Sequence, residues 1–532
     1  MNSTVVISFL AFTVLAAGIA VYKTRGQKLG TSLAYFLGNR NFGFWMIGCS
    51  LFLTNMSANQ FVGENEYVYS TDMSVMCWGM SSILAMLVVA EWLMPVYLRI
   101  GAVTTPDFLE RRFDRATKRM VSIIFLVSYL VNLIPSVLYG CAVALNGILH
   151  IDQWLGLSYF ASIRVLVLLV GVIGGCYTLL GGLKAITISD VVQGVGMVLG
   201  GAFLTYYGFR YLGGGSVVTG IHRLVSDHRE HLNAIGGKGS AVPFSTLFTG
   251  MLLINIYYWG MEQYIVQETL ASRDLATSQK GIALACVGKL MAPLLLNVPG
   301  LMAVHLYSGL GNSVNAFPRL VSDVMPPLIS GFIAAIVFGG ALSTFNAGLN
   351  SLGTLFTVNV YLPWKQRHGE QPDEKAIVRG ARIFQVLVIA GGIYFAPLII
   401  NFSGGFYNYL QKAASFFSVP IFTVMTVGFL TKKTPAIAAK AGLIFFVVSY
   451  MLTQFVFHTG LHYLHVLAIL FVVTVAGMLL IGKLYPMETP FRIVNEGAAT
   501  LSPWKQRHWY FVLLLAAMIG MFVLFSPLGL AH

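Results

Sequence analysis

The sequence predicts an all-α polytopic membrane protein with about 14 transmembrane helices. Only 10% of its 532 residues are charged, whereas soluble globular domains carry about 25%. Hydrophobic residues make up 57% of the chain, and they occur in repeated runs long enough to cross a hydrocarbon core of about 30 Å. These observations exclude a cytosolic enzyme, a disordered protein and a nucleic-acid binder, despite the net charge of +13.

The apolar runs, taken in chain order, place the membrane-crossing helices. Each such helix needs about 20 mostly apolar residues. The predicted spans lie near residues 3–22, 43–70, 73–99, 119–147, 157–180, 184–212, 244–270, 278–310, 325–362, 375–400, 404–430, 434–456, 460–484 and 507–530. The first span is predicted to be a retained helix rather than a signal peptide, because no basic residue precedes it and no small-residue cleavage site follows.

The distribution of Lys and Arg predicts the orientation in the membrane. Basic residues are concentrated in alternate loops, for example after the first span and between Arg99 and Arg119, and they are sparse in the intervening loops. Cytoplasmic loops carry the excess of Lys and Arg in membrane proteins. With an even number of spans, this bias places both termini outside the cytoplasm.

The segment 213–243 contains glycines, histidines and charges of both signs. This composition predicts a solvated loop with a short amphipathic helix. A metal site built from its histidines is the alternative, although their spacing is not specific for one.

Two polar clusters interrupt apolar spans and predict broken helices. Thr54–Gly63 lies within the second span, and Asn255–Gln263 lies within the seventh. Irregular backbone at membrane depth is tolerated only where it lines a cavity, and a break leaves carbonyls for a cation and N–H groups for a polar solute. The clusters are five spans apart, as two inverted five-helix repeats require. The alternative for Thr54–Gly63 is a kinked helix whose polar groups bond to neighbours.

Lys289 is the only charged residue between Gly281 and Gly300. A lysine at the membrane centre costs at least ~2.5 kcal/mol, which predicts that it faces a polar cavity. The alternative is that its side chain reaches an interface.

The ninth span carries two adjacent hydroxyls, Ser343 and Thr344. Hydroxyls and free backbone carbonyls are uncharged oxygen ligands that suit a small monovalent cation such as Na⁺. The alternative is that each hydroxyl bonds to a carbonyl one turn back in its own helix.

Several motifs together resemble the bacterial sodium/solute symporters, most closely their sodium/sugar cotransporter branch. The motifs are Tyr177-Thr178-Leu179-Leu180-Gly181-Gly182-Leu183-Lys184-Ala185, Asn55 to Phe61, Tyr258-Trp259-Gly260, Gln279-Lys280-Gly281 and Leu349-Asn350-Ser351. Their order matches the family over nearly the full length. The resemblance implies one leucine-transporter-like membrane domain over residues 1–532. It comprises an extra N-terminal helix (3–22), two inverted repeats (43–212 and 244–430) and C-terminal helices (434–530).

The resemblance also implies a principal sodium site. Its ligands are the backbone oxygens of Leu53, Met56 and Gly340 and the hydroxyls of Ser343 and Thr344. Some relatives hold a second sodium with further downstream hydroxyls and an aspartate. Here Asp190 is present, but Asn346 and Ala347 replace the hydroxyls, so we expect one sodium per cycle. Asp190 alternatively lies on the sodium exit path.

The solute-binding and gate positions are likewise implied by the resemblance. The solute-contacting residues are Gln60, Trp78, Ser82, Asn255, Lys289 and Gln411, with Tyr258 and Trp259 closing the inner side and Glu64, Trp78 and Phe406 forming the outer gate. Three residues depart from the family pattern: Gly79 replaces a glutamate, Glu64 an apolar residue and Glu268 an arginine. Glu64 either restores the lost carboxylate, pairs with Lys289, favours an amino-bearing solute, or is a solvated acid in the vestibule.

These implications predict a sodium-coupled symporter that imports a sugar or sugar-like polyhydroxy solute by alternating access, and not an enzyme. We expect a monomer in the bacterial inner membrane whose partners are the solute, sodium and the lipid bilayer, with no nucleic acid and no organic cofactor. One alternative is a sodium symporter for an amino acid, a carboxylate or a sialic-acid-type sugar. Another is a non-transporting membrane sensor, a class that usually carries a soluble signalling domain.

Overall fold

Helices dominate the computed structural model, which describes residues 3–25, 31–402, 406–457, 459–497 and 499–531. Within these ranges, twelve helical segments are long and apolar enough to cross a membrane. They are Ser3–Thr24, Met73–Arg99, Arg115–Leu149, Tyr159–Leu179, Gly182–Leu212, Leu275–Leu306, Pro327–Arg367, Glu374–Asn401, Tyr409–Leu430, Ala436–Phe455, Tyr463–Leu484 and Arg507–Leu524. The predicted all-α membrane architecture is confirmed. The helix containing Tyr409–Leu430 begins at Phe406, and residues 403–405 of the predicted span 404–430 lie outside the described ranges.

The second and seventh predicted spans are each divided into two shorter helices. The second consists of Phe44–Asn55 and Ala58–Ser70, separated at Met56, whose φ and ψ are −86° and 62°. The seventh consists of Gly250–Gly260 and Gln263–Leu270, separated at Met261 and Glu262. Both breaks therefore fall inside the polar clusters in which the sequence places them.

The chain reverses direction at Gly182, between two spans that follow each other without a loop. The helical run Tyr159–Leu212 has 54 residues and would be about 81 Å long if it were straight. At Gly182, φ is 60° and ψ is −175°, a combination that essentially only glycine adopts. Thr178 before the turn donates a hydrogen bond to Asn346 at 2.6 Å, and Asp190 after it faces Ser343, so both arms meet one stretch of the same helix.

Helix Pro327–Phe356 lies at the centre of the bundle and carries the predicted cation-binding hydroxyls. It packs against Ser3–Thr24, Phe44–Asn55 and both arms of the run Tyr159–Leu212. A Cβ atom at Gly340 would lie only 3.1 Å from the Met56 carbonyl oxygen. Glycine at this position therefore allows the central helix to approach the first break closely.

The segment 213–243 contains the predicted short helix, at Val217–Ser226. After it, ligand atoms of His228, Glu230 and His231 lie within 4.8 Å of one another, and the first two side chains are exposed. The metal-site alternative for this segment thus has three candidate ligands, and it stays a prediction.

Candidate functional site

A polar cavity lies where the two broken helices meet. All eight residues that the sequence assigns to solute contact line it: Gln60, Trp78, Ser82, Asn255, Tyr258, Trp259, Lys289 and Gln411. Glu64 and Thr344 also contribute to its wall. Phe406, the remaining predicted gate residue, is buried beside the cavity and packs against the Tyr139 ring at 5.2 Å between centroids.

The predicted sodium ligands converge at the first break. Thr344 Oγ1 donates a hydrogen bond to the Thr54 carbonyl at 2.7 Å and also contacts the Gly340 carbonyl at 3.2 Å. Ser343 Oγ lies 3.0 Å from Thr54 Oγ1. On the other side of this contact, Leu53 lies in the last turn of helix Phe44–Asn55 and Met56 is the residue that caps its C-terminus. Thr344 therefore bonds both within its own helix and across to the broken one.

The two hydroxyls of this cluster face different cavities. Thr344 lines the polar cavity between the breaks. Ser343 lines a second cavity together with Asp190, Gln193 and Asn346. A cation held by both hydroxyls would lie at the boundary between the two cavities, with Asp190 beyond it.

Tyr258 connects the two breaks through its phenol oxygen. It accepts hydrogen bonds from Asn55 Nδ2 and from the Tyr264 hydroxyl, both at 3.0 Å. Its ring packs edge-on against Trp259 with centroids 5.3 Å apart. These contacts fix Tyr258 in the wall of the cavity, and its role as a gate stays a prediction.

Two opposite charges, Glu64 and Lys289, face the same cavity. Each side chain is only 4% exposed, and the two interact electrostatically. Asn297 Nδ2 donates to Glu64 Oε2 at 2.9 Å. Glu64 is therefore not a solvated vestibule acid, and Lys289 lies in the interior rather than at an interface. The two groups form no direct salt bridge among the described residues, so the pairing of Glu64 with Lys289 is an attraction at longer range across the cavity.

One wall of the cavity was not predicted from the sequence. It comes from Arg115–Leu149, which contributes Ser128, Tyr129, Asn132 and Ser136. Tyr129 donates a hydrogen bond to Glu262 at the second break. The spacing of Ser128, Asn132 and Ser136 places them on one helix face, and this periodicity within an apolar span is the signal that could have identified them.

Glu66 attaches the broken helix Ala58–Ser70 to the first turn of Phe406–Leu430. Its Oε2 accepts the backbone N–H groups of Phe406 and Tyr407 at 3.0 and 3.3 Å, and its Oε1 accepts from Ser313 at 3.1 Å. A carboxylate is favoured at a helix N-terminus by these free N–H groups and by the helix dipole.

We expect Glu66→Ala to lower the free energy of unfolding by about 2–3 kcal/mol, because hydrogen bonds to a buried charge are lost. Denaturant unfolding of the detergent-solubilised protein measures this change. Glu230→Ala, which removes an exposed carboxylate, is the control and should leave the midpoint unchanged. An equal midpoint for both variants would contradict the anchoring role of Glu66.

Comparison with known proteins identifies the family of this chain. The model of the sodium:solute symporter family matches residues 35–445. The chain belongs to this family. This symporter is 37% identical over 529 residues to the uncharacterized symporter YidK of Escherichia coli K12, covering 99% of this chain and 92% of that relative. It is 28% identical to the sodium/glucose cotransporter of Vibrio parahaemolyticus, with 82% of each chain covered. These relatives are transporters rather than enzymes.

Solved structures share the fold of this symporter. A Na⁺-coupled sialic acid symporter in a substrate-bound outward-open state superposes with a TM-score of 0.77 at 17% identity, covering 92% of this chain and 99% of that one. The nucleobase-cation-symport transporter Mhp1 gives a TM-score of 0.56 at 14% identity, with 90% and 98% covered. The predicted leucine-transporter-like fold is therefore confirmed.

Proposed function

We propose that this symporter imports a sugar or sugar-like polyhydroxy solute together with sodium by alternating access. The supporting observation is the cavity at the two helix breaks, which all eight predicted solute residues line and which the Thr344 hydroxyl borders. Amides and hydroxyls beside aromatic rings suit a solute with polar edges and apolar ring faces. The relatives named as sodium/glucose cotransporters support the same solute class.

Sodium at the proposed principal site would join two elements of the bundle. Its ligands would be the Leu53, Met56 and Gly340 carbonyls on either side of the contact and the Ser343 and Thr344 hydroxyls. Holding the break against helix Pro327–Phe356 would fix the wall to which the solute binds. Release past Ser343 into the cavity that Asp190 lines would free that wall to move.

The membrane potential adds to this coupling. A potential of 100 mV contributes ~2.3 kcal/mol for each positive charge that moves inward. We further propose that this symporter acts as a monomer in the bacterial inner membrane. The distribution of Lys and Arg supports an orientation with both termini on the non-cytoplasmic side.

A second candidate solute is an amino acid. Glu64 and Lys289 give the cavity one charge of each sign, which would complement an ammonium and a carboxylate. Glu64 and Lys289 attract each other, and this attraction weakens the interaction that either charge could make with an amino acid. We therefore favour the neutral polyhydroxy solute.

Uptake into proteoliposomes tests the proposed function. Purified protein is supplied with radiolabelled neutral monosaccharides, amino acids or sialic acid under an inward sodium gradient, with an equal potassium gradient as the control. We expect a neutral sugar to accumulate only with sodium, and more so when the lumen is negative. Accumulation that is equal in potassium, or that is confined to amino acids, would contradict the proposal.

A further inference from the structure

A turn in the segment 213–243 brings two imidazole rings and one carboxylate together. His228 immediately precedes the short 3₁₀ helix Arg229–Leu232, and its carbonyl oxygen accepts the backbone N–H of His231 at 3.0 Å. In a 3₁₀ helix, side chains three residues apart eclipse each other. The rings of His228 and His231 therefore lie over the same side of the turn, with their centroids 5.9 Å apart.

The distances within this cluster match those between the ligands of a tetrahedral metal ion. Glu230 Oε1 lies 3.4 Å from Nδ1 of His228 and 3.4 Å from Nδ1 of His231. All three ligand atoms lie within 4.8 Å of one another. Two ligand atoms bonded to tetrahedral zinc at ~2.0–2.1 Å are separated by ~3.3–3.4 Å. The carboxylate oxygen is thus already at the required distance from both rings.

Hydrogen bonding within the turn leaves these ligand atoms available. An N–H···O hydrogen bond usually measures about 2.7–3.2 Å between its heavy atoms, so both separations from Glu230 are longer than an ordinary bond. His231 Nδ1 is buried and has no hydrogen-bond partner among the described residues. A buried polar atom without a partner is unfavourable, and coordination of a metal ion would satisfy this nitrogen.

Contacts on both sides hold the turn in place. After it, the Ala234 backbone N–H donates to the Phe525 carbonyl at 2.7 Å. Before it, the Asp227 carbonyl oxygen lies 3.2 Å from Nε2 of His305, which is near the end of the membrane-crossing segment that carries Lys289. A binding site that is already ordered avoids part of the entropic cost of binding.

We propose that His228, Glu230 and His231 bind a zinc ion on the exposed surface of this segment. Imidazole and carboxylate groups are common zinc ligands, and three protein ligands leave a fourth position for water. Imidazole nitrogen suits transition metals, so this ion is distinct from the coupling sodium, and the inference does not depend on the proposed transport function. Bound zinc would fix the turn against the segment that carries Lys289.

Binding of Co²⁺, a spectroscopic substitute for zinc, tests this inference. Full-length protein without a polyhistidine tag is titrated in detergent, and the visible absorption that distinguishes tetrahedral from hydrated Co²⁺ is recorded. We expect one tetrahedral Co²⁺ per chain, displaced by one equivalent of Zn²⁺. His231→Ala and Glu230→Gln should each weaken binding by at least about 10–100-fold, the loss seen when only an outer partner of a metal ligand is removed.

His222→Ala is the matched control, because it removes an exposed histidine from the neighbouring helix Val217–Ser226. This variant should bind one Co²⁺ as tightly as the wild type. Zinc should also raise the midpoint of thermal unfolding of the wild type and of His222→Ala, but not of His231→Ala. Equal midpoints of all variants without metal would show that each is folded.

Two results would overturn the inference. One is a wild type that gives only the spectrum of hydrated Co²⁺. The other is a His231→Ala protein that binds as tightly as the wild type, which would assign the ion to other residues.

Discussion

Replacing Ser343 and Thr344 together by alanine should abolish sodium-dependent uptake. The double variant removes both side-chain ligands of the proposed principal site and the hydrogen bond from Thr344 to the Thr54 carbonyl at 2.7 Å. Outer partners of metal ligands alone are worth about 10–100-fold in affinity, so losing two ligands should raise the sodium concentration for half-maximal uptake more than 100-fold. Initial rates in proteoliposomes over a range of sodium concentrations measure this.

Ser330→Ala is the matched control for that experiment. Ser330 lies on the same helix, and among the described residues its hydroxyl contacts the Val321 and Met325 carbonyls, both at 3.3 Å, away from both breaks. Its sodium dependence should equal that of the wild type. Full sodium-dependent uptake by the double alanine variant would remove Ser343 and Thr344 from the coupling site.

Lys289→Met and Glu64→Gln should each reduce the initial rate of solute uptake severely. The double variant should lose less activity than the sum of the two single losses, expressed as free energies. Either single change leaves one buried charge facing the cavity without the opposite charge, and a buried charged group that loses its partner costs about 1–3 kcal/mol, or roughly 5- to 150-fold. The double variant removes both charges and retains the cavity. A double-mutant cycle on initial uptake rates measures the coupling energy between the two side chains.

Sodium binding without solute supplies the control for the charge pair. Because neither Lys289 nor Glu64 is a proposed sodium ligand, both single variants should bind as many sodium ions as the wild type. Strictly additive losses in uptake would show that Glu64 and Lys289 act independently, and would leave Glu64 without the pairing role inferred from its burial.

The two helix breaks could be predicted because polar residues are costly in a hydrocarbon environment. Thr54–Gly63 and Asn255–Gln263 stand out against apolar surroundings, and this contrast needs no knowledge of packing. The same reasoning identified Lys289 and the adjacent hydroxyls of Ser343 and Thr344. The family resemblance then added Gln60, Trp78, Ser82 and Gln411, which line the same cavity.

The contacts of Glu268 could not be predicted from the sequence. Its partner Thr54 is 214 residues away, and which side chains meet across that distance depends on how the helices pack. The sequence shows that Glu268 departs from the family pattern, but it does not show which side chains surround Glu268 in the fold. The Ser128, Asn132 and Ser136 wall was missed for a different reason: single small polar residues within an apolar span do not lower its hydropathy enough to be noticed.

The turn at Gly182 has a consequence for how the protein is made. The two arms of Tyr159–Leu212 are joined without a loop. The chain therefore has no hydrophilic connecting segment that would remain in water if the first arm entered the bilayer before the second. We therefore expect the two arms to leave the translocon together, as one preformed hairpin. Because a side chain at position 182 is strained in this backbone conformation, substitution there should act during biosynthesis, lowering the amount of inserted protein rather than the turnover of each inserted molecule.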